Sequence, residues 1–318
     1  MKKQSEKAKR DARMRPVAEA LAAVDAAASS GEIQERGLLV TLAVSRWYGT
    51  GNDADVVSEV AERAKSRGFI GSFSKRSMER KHLEAINRVT SEARKYHKRM
   101  ALPWGDSMER LLSVETYFEY KSKMTAYEHE FNQAVAAFLL LYPDLIGKQK
   151  ERLGSLFKES DYPSVAALRE RFRFRLAVDR LPQADTSDLR LALGAEQAEE
   201  IRADMEKRTH DAVAASVRDI YERMMDAVVH VREKLSEHDS IGPKALESLR
   251  DVCLLLPKLN LMHDPNISAL GTQIMAELGD MDREAVKEDA ALRTQTVQKA
   301  DALLNKMALF KSALQKGA

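Results

Sequence analysis

The chain has 318 residues, 44% of them hydrophobic and 31% charged, with 14 glycines, 8 prolines, 1 cysteine and a formal net charge of +2. That length accommodates one large or two ordinary domains, and the scarcity of helix breakers sets a helix-dominated class. The near-neutral total excludes a chain that is polycationic or polyanionic throughout, and the lone Cys253 excludes an intrachain disulfide and a cysteine metal cluster.

The N-terminal segment 1–15 carries seven Lys/Arg against Glu6 and Asp11 and reads as a basic arm. Pro16 suits the first turn of a helix reaching about Ala28, which Ser29, Ser30 and Gly31 end. Asp25 interrupts the short apolar segment there, which argues against a signal peptide. Residues 38–47 (LLVTLAVSRW) are branched and alternate with period 2, which predicts a strand closed by the turn residues 49–53. Helices are expected at 54–65 and 77–100, with Gly68 and Gly71 between them.

Residues 106–142 lack Gly and Pro and lie between Pro103 and Pro143. Tyr117, Tyr120, Met124, Tyr127, Phe131, Ala134, Phe138 and Leu141 recur there in alternating steps of three and four. This is the 3.5-residue seam of a coiled coil, on a helix roughly 55 Å long at about 1.5 Å per residue. Asp106 and Glu109 supply a capping box at its start, and Pro143 and Gly147 are expected to end it. A short helix is expected at 148–158.

Residues 171–178 (RFRFRLAV) place arginines and apolar residues on opposite faces of a second strand, although a helical reading through Leu168, Phe172 and Leu176 also fits. A lone strand leaves its backbone groups unpaired, so residues 38–47 and 171–178 are expected to form a two-stranded sheet. Residues 182–187 read as a linker. Residues 195–241 predict a second long helix, roughly 70 Å, with a stripe of Val213, Val217, Ile220, Met224, Val228, Val231 and Leu235. Its length makes it the expected antiparallel partner of 106–142. Shorter helices follow at 244–256, ending at Pro257, and from the Asp264–Pro265 cap to Leu278. The last spans 283–314, with Val297, Ala300, Leu304, Met307, Phe310 and Leu314 on one face.

The expected architecture is therefore mainly α: an elongated bundle of long helices with coiled-coil-like packing and a small two-stranded β-sheet. It divides into an arm and short helix (1–36), a helical core with the sheet (37–182) and a long-helix region (183–318).

No catalytic, cofactor or metal constellation emerges. A phosphate loop needs glycine-presented amides followed by Lys and Ser/Thr. At Gly147–Lys148 the upstream position is Tyr142 and the next residue is Gln149. A di-metal bundle needs Glu-x-x-His on two helices, and here Glu79–His82 stands alone in a cationic segment. His129, between Glu128 and Glu130, reads as a surface residue. Cys253 sits in the apolar run 252–256, where burial raises a thiol's pKa, and reads as a small buried hydrophobe in a reducing cytoplasm. The most apolar run, 134–142, is far shorter than the roughly 20 residues of a membrane span.

Charge patterning offers the one candidate ligand surface. Lys75, Arg76, Arg80, Lys81, Arg88, Arg94, Lys95, Lys98 and Arg99 share a segment with three acidic residues, and Arg171, Arg173 and Arg175 line one strand face. Both sets are candidates for nucleic-acid phosphates; the competing reading is solvated faces paired with acidic neighbours. On the seam helix, Tyr117, Tyr120, Met124, Tyr127, Phe131 and Phe138 are candidates for helix packing, within the chain or in a homo-oligomer.

Two stretches, LLVTLAVSRWYGTG and RFRFRLAVDRLP, with a weaker echo in LPKLNLMHDPNISAL, resemble an uncharacterised family of bacteriophage and prophage proteins, domain of unknown function 3150. The similarity covers about residues 38–182, and the chain departs from it in the basic arm and the shorter turn after Trp47. The family supplies no catalytic residues. The resemblance implies a phage origin, the cytoplasm of the bacterial host and a genomic neighbourhood with a MoxR-like AAA+ ATPase and a von Willebrand A-type protein. The expectation is a non-enzymatic scaffold or adaptor that acts through a protein partner, with nucleic-acid binding as the alternative.

Overall fold

The computed structural model describes Ala22 and residues 32–68, 70–105, 108–182, 194–237 and 241–316. The basic arm, most of the helix expected before Ser29, Asp106 of the expected capping box and nearly all of the linker lie outside these residues. Among them the chain is mostly helical with a small antiparallel sheet. The helices are α1 (Glu32–Arg36), α2 (Ala54–Arg63), α3 (Glu84–Met100), α4 (Tyr117–Leu153), α5 (Val165–Arg169), α6 (Ala195–Glu237), α7 (Pro243–Leu259), α8 (Pro265–Ile274), α9 (Arg283–Glu288) and α10 (Ala290–Lys316). The strands are β1 (Gly37–Ser45), β2 (Thr50–Asn52), β3 (Ser74–Arg76), β4 (Leu102–Pro103), β5 (Arg110–Ser113) and β6 (Arg173–Arg180).

β1 and β6 are neighbours, as the alternation in both segments requires, but the sheet has four strands in the order β4-β5-β1-β6. β5 runs antiparallel to β1, with Leu38 opposite Leu112, and β4 pairs with β5 at the edge. Pro103 is tolerated in β4 because an edge strand has one side that donates to no neighbour. A second, two-stranded sheet pairs β2 with β3, with Thr50 opposite Arg76. The two-stranded expectation failed because β5 is only four residues long (RLLS), too short for its alternation to stand out from a helical stripe.

The chain forms two compact units. The first comprises Met1–Thr41, Lys98–Phe118 and Val178–Ala318; the second comprises Leu42–His97 and Glu119–Ala177. In the first unit α6 packs along α10 and α7. All seven expected stripe residues of α6 are buried, and Tyr221 beside them stacks on Phe310 of α10 at 5.1 Å between ring centroids. Leu246, Leu249, Cys253 and Leu256 face inward from α7, and Ile267, Leu270 and Ile274 from α8. Asp264 caps α8 by accepting the Asn266 N–H at 2.8 Å. The helix expected over 283–314 breaks at Asp289, whose carboxylate accepts the N–H groups of Ala291 and Leu292 and so starts α10.

The second unit is built around α4. Its fully inward positions are Tyr120, Met124, Phe131, Val135, Phe138, Leu139, Tyr142, Leu145 and Gln149. That set follows the 3.6-residue period of a straight helix. A 3.5-residue seam drifts about 20° per heptad off such a face. Tyr127 and Ala134 are accordingly only half-buried, and Leu141, at the end of the expected seam, is 54% exposed. Tyr117, at the first turn of α4, is half-buried in the first unit. Phe131, Val135, Phe138 and Leu145 pack in a core with Trp47, Met78, Leu83, Ile86, Val89, Leu168 and Phe172. The stripe of α4 from Phe131 to Leu145 thus lies in the core of the second unit and the stripe of α6 in the core of the first. Pro143 and Pro257 do not end their helices. Both lie on exposed faces, where the carbonyl that a proline leaves unpaired can be hydrated.

Candidate nucleic-acid interface

The site begins where β1 ends. Arg46, Trp47 and Tyr48 follow β1 with its alternation broken: Val40 and Leu42 are buried and Ala43 and Ser45 exposed within the strand, yet here Trp47 is the inward residue and Tyr48 the outward one. Trp47 is buried, edge-on to Tyr142 at 5.8 Å and near Phe138 at 6.3 Å. Tyr48 is 57% exposed. The Arg46 guanidinium lies 4.9 Å from the Tyr48 ring centroid and donates to Asn87 Oδ1 at 2.8 Å. Gly49 follows with φ +60°, and a Cβ there would stand 2.6 Å from the Cβ of Met78. The turn therefore requires glycine on both conformational and steric grounds.

Beyond the turn, the paired strands β2 and β3 bring in alternating cations with opposite fates, both on β3. Lys75 is inside. Its ammonium donates to Asp53 at 2.6 Å and to the Leu156 carbonyl at 2.9 Å, and pairs with Asp161 at 2.7 Å. Lys158 reaches the other Asp53 oxygen at 2.5 Å and Asp55 at 2.6 Å. The ammonium groups of Lys158 and Lys75 hold the Asp53 carboxyl well below the usual carboxylate range. Asp53 and Asp55 in turn raise Lys158. Burial pulls the Lys75 ammonium downward, but Asp161 and Asp53 outweigh it and keep the group above its ordinary value. Two further side chains fix the end of this strand and the residue after it: Arg152 donates to the Arg76 carbonyl at 2.7 Å, and the Tyr162 hydroxyl donates to the Ser77 carbonyl at 2.8 Å.

With Lys75 held inside, Arg76 lies on the opposite face and lines a cleft of about 220 Å³ with Arg46, Tyr48, Thr50, Arg80, Leu83 and Asn87. A second cleft of about 450 Å³ is lined by Ser45, Arg46, Trp47, Tyr48, Thr50, Glu170, Arg171 and Arg173. Arg46, Tyr48 and Thr50 belong to both. Five arginines therefore border two adjoining clefts against one carboxylate, Glu170, which lies 3.7 Å from Arg173. The guanidinium groups of Arg76, Arg80 and Arg171 have no carboxylate within ion-pair distance among the described residues.

Of the twelve cationic residues picked out in the sequence, Arg76, Arg80, Arg171 and Arg173 come together here. Lys75 does not: two carboxylates and a carbonyl sequester its ammonium, and strand alternation sends it inward. Lys81 pairs with Glu79 at 3.0 Å and Lys95 with Glu92 at 3.2 Å. Arg94 donates to the Val44 carbonyl at 3.0 Å. Arg88 and Arg175 are exposed but line neither cleft, and Lys98 and Arg99 belong to the first unit.

The sequence reading missed Arg46, Tyr48 and Thr50. The period-2 pattern of β1 could not have found them: Arg46 and Tyr48 share the parity of the buried Val40 and Leu42, so continuing it would have sent both inward. Among the described residues no three His, Cys, Asp or Glu side chains are grouped to hold a metal ion, and no helix is long and apolar enough to cross a membrane. No protein-family model, curated protein or solved structure matches this chain.

Proposed function

We propose that the second unit binds nucleic acid through the arginine-lined clefts, as a non-enzymatic binding module. The observation that carries this reading is the convergence of Arg76 and Arg80 from one side and Arg171 and Arg173 from the other on the shared Arg46, Tyr48 and Thr50. Guanidinium forks suit phosphate oxygens, which they engage with two parallel hydrogen bonds. Arginines with no protein carboxylate to satisfy them retain that capacity for a ligand.

Fluorescence anisotropy with labelled oligonucleotides tests the reading. Binding should weaken steeply as salt rises, by about 0.7 to 0.9 in log affinity per log salt for each phosphate contacted. The double variant R76E/R171E should abolish it while the thermal melt stays intact. Binding that ignores both salt and charge reversal would refute the proposal.

A second reading, an assembly or adaptor protein, draws on exposed apolar side chains of long helices: Leu140 and Leu141 on α4 and Leu254 on α7. The resemblance to domain of unknown function 3150 points the same way, toward a phage protein in the host cytoplasm that serves a MoxR-like AAA+ ATPase. Light scattering at high concentration, and co-purification with such an ATPase, test it; a strictly monomeric chain that captures no ATPase counts against it.

A further inference from the structure

We infer that the cleft takes single-stranded rather than duplex nucleic acid, with Tyr48 as the platform on which an unpaired base stacks. This deepens the nucleic-acid reading above and rests on it.

The inference starts from an aromatic ring left outside. Tyr48 follows a buried tryptophan at the end of a core strand, yet it is 57% exposed and stands at the mouth shared by both clefts. Its orientation is fixed from three directions. Trp47 is anchored in the core edge-on to Tyr142, Gly49 holds a left-handed turn, and Arg46 lies against the ring at 4.9 Å. Arg46 is itself tied to Asn87 at 2.8 Å, so the cation backing the ring has a fixed address. No other ring or cation packs on Tyr48 among the described residues.

A base inside a duplex has both faces stacked and its edge paired, so a protein ring cannot reach it without unstacking. An unpaired base offers a free π-face to any aromatic platform, whatever its identity. A cationic groove that tracks the backbone and an aromatic side chain that receives bases are the two components of single-strand binding. Here they coincide: a nucleotide stacked on Tyr48 has arginines on both sides of it, Arg171 and Arg173 in one cleft and Arg76 and Arg80 in the other. The strand would cross the turn at Tyr48 and place its phosphates in either cleft.

The test uses the full chain with three probes at one salt concentration: labelled oligothymidylate, a duplex of the same length and inorganic polyphosphate. Oligothymidylate should bind at least about tenfold more tightly than the duplex. Y48A should cost about 5- to 150-fold in single-strand affinity, the range for loss of one stacked base, and erase the preference over duplex. Y48F should retain both. Y48W should retain binding, and its exposed indole emission should quench as oligothymidylate is added. Far-ultraviolet circular dichroism of each variant establishes that it folds.

Equal affinity for single strand and duplex, or Y48A that binds oligothymidylate like the native chain, overturns the stacking inference. If binding in that case is still lost in R76E/R171E, the phosphate cleft stands without it. Failure to bind any probe, or binding indifferent to R76E/R171E, overturns both.

Discussion

The two units use the same residue types for different ends. In the first unit arginines are turned toward the protein's own backbone. Arg223 donates to the carbonyls of Arg99, Lys98 and Ala101, Arg250 to Gly279 and Arg283 to Ile241. Its core is mostly aliphatic and mostly helix on helix, with Tyr221 stacked on Phe310. Its one deeply buried carboxylate among the described residues, Asp264, is a helix cap that accepts the backbone and side-chain amides of Asn266, while the Asn260 side chain pairs with the Asp264 backbone. In the second unit the buried charges, Asp53 and Lys75, face each other inside, and arginines border open clefts. A count of cations therefore says nothing about ligand binding. What matters is whether the protein supplies each cation's partner. In the first unit it does so for these three arginines; around the clefts it does not for Arg76, Arg80 and Arg171.

The largest expected effects break each unit where it is most tightly packed. Phe131 is fully buried, against Phe174 at 5.7 Å, and Phe131→Ala should destabilise the second unit by about 3–5 kcal/mol. Ile220 is fully buried in α6, and Ile220→Ala should cost the first unit about 2–5 kcal/mol. Hydrogen exchange resolves the two: F131A should speed exchange in Leu42–His97 and Glu119–Ala177, and I220A in the other unit. Uniform acceleration by either variant would erase the distinction between two cores.

Next comes the buried ion cluster of the second unit. Lys75→Met removes the ammonium between Asp53 and Asp161 and should lower both the thermal midpoint and oligonucleotide affinity, because β3 carries Arg76. R76E should lower affinity and leave the midpoint unchanged. If K75M binds as well as the native chain, the cluster does not position the cleft. The pH dependence has a definite sign. The folded-state pKa of Asp53 lies below its ordinary value of 3.8, so the unfolded chain binds the proton more readily. The cluster's contribution is complete above about pH 4 to 5 and is lost as pH falls below that value. Lys158 has the opposite sign: its folded pKa is raised above 10.5, so its contribution is complete below that value and fades as pH rises past it. An acid titration monitored by tryptophan emission should show an earlier loss in the native chain than in D53N, measured relative to each protein's own neutral-pH stability.

What was legible in the sequence divides along similar lines. The stripe of α6, the inward face of α7, the Asp264 cap and the opposed faces of β6 could all be read, because each is a local period or a local cap. The alternation of β1 likewise predicted its place beside β6. The β2–β3 pair and β5 could not be read, since three- and four-residue strands are stabilised by partners far away in the chain. Lys75 was misplaced for the same reason. Nothing in the run 74–77 reveals that Asp53 and Asp161, 22 positions before it and 86 after it, will meet it. Pro143 and Pro257 were read as stops because the rule penalises a buried helix interior, and both stand on the solvent side. The cleft was half visible: its arginines were named, but the residues joining them lie in a strand end that reads as core.

The smallest effect uses Cys253 as a reporter on one side of the comparison. The thiol is buried on α7, and burial pushes its pKa up to about 11. At pH 8 the folded chain then presents on the order of 100-fold less thiolate than an unfolded one, whose thiol titrates near 8.5. Reaction with an aromatic disulfide reagent should be slow in the native protein and governed by local opening of the first unit. I220A should accelerate it, because the cavity lies in the same core as α7. F131A and K75M, which weaken the second unit, should leave the rate at the native value. A single cysteine thus separates a loss of packing in one core from a loss in the other, and acceleration by K75M would show that the ion cluster supports more than the unit that contains it.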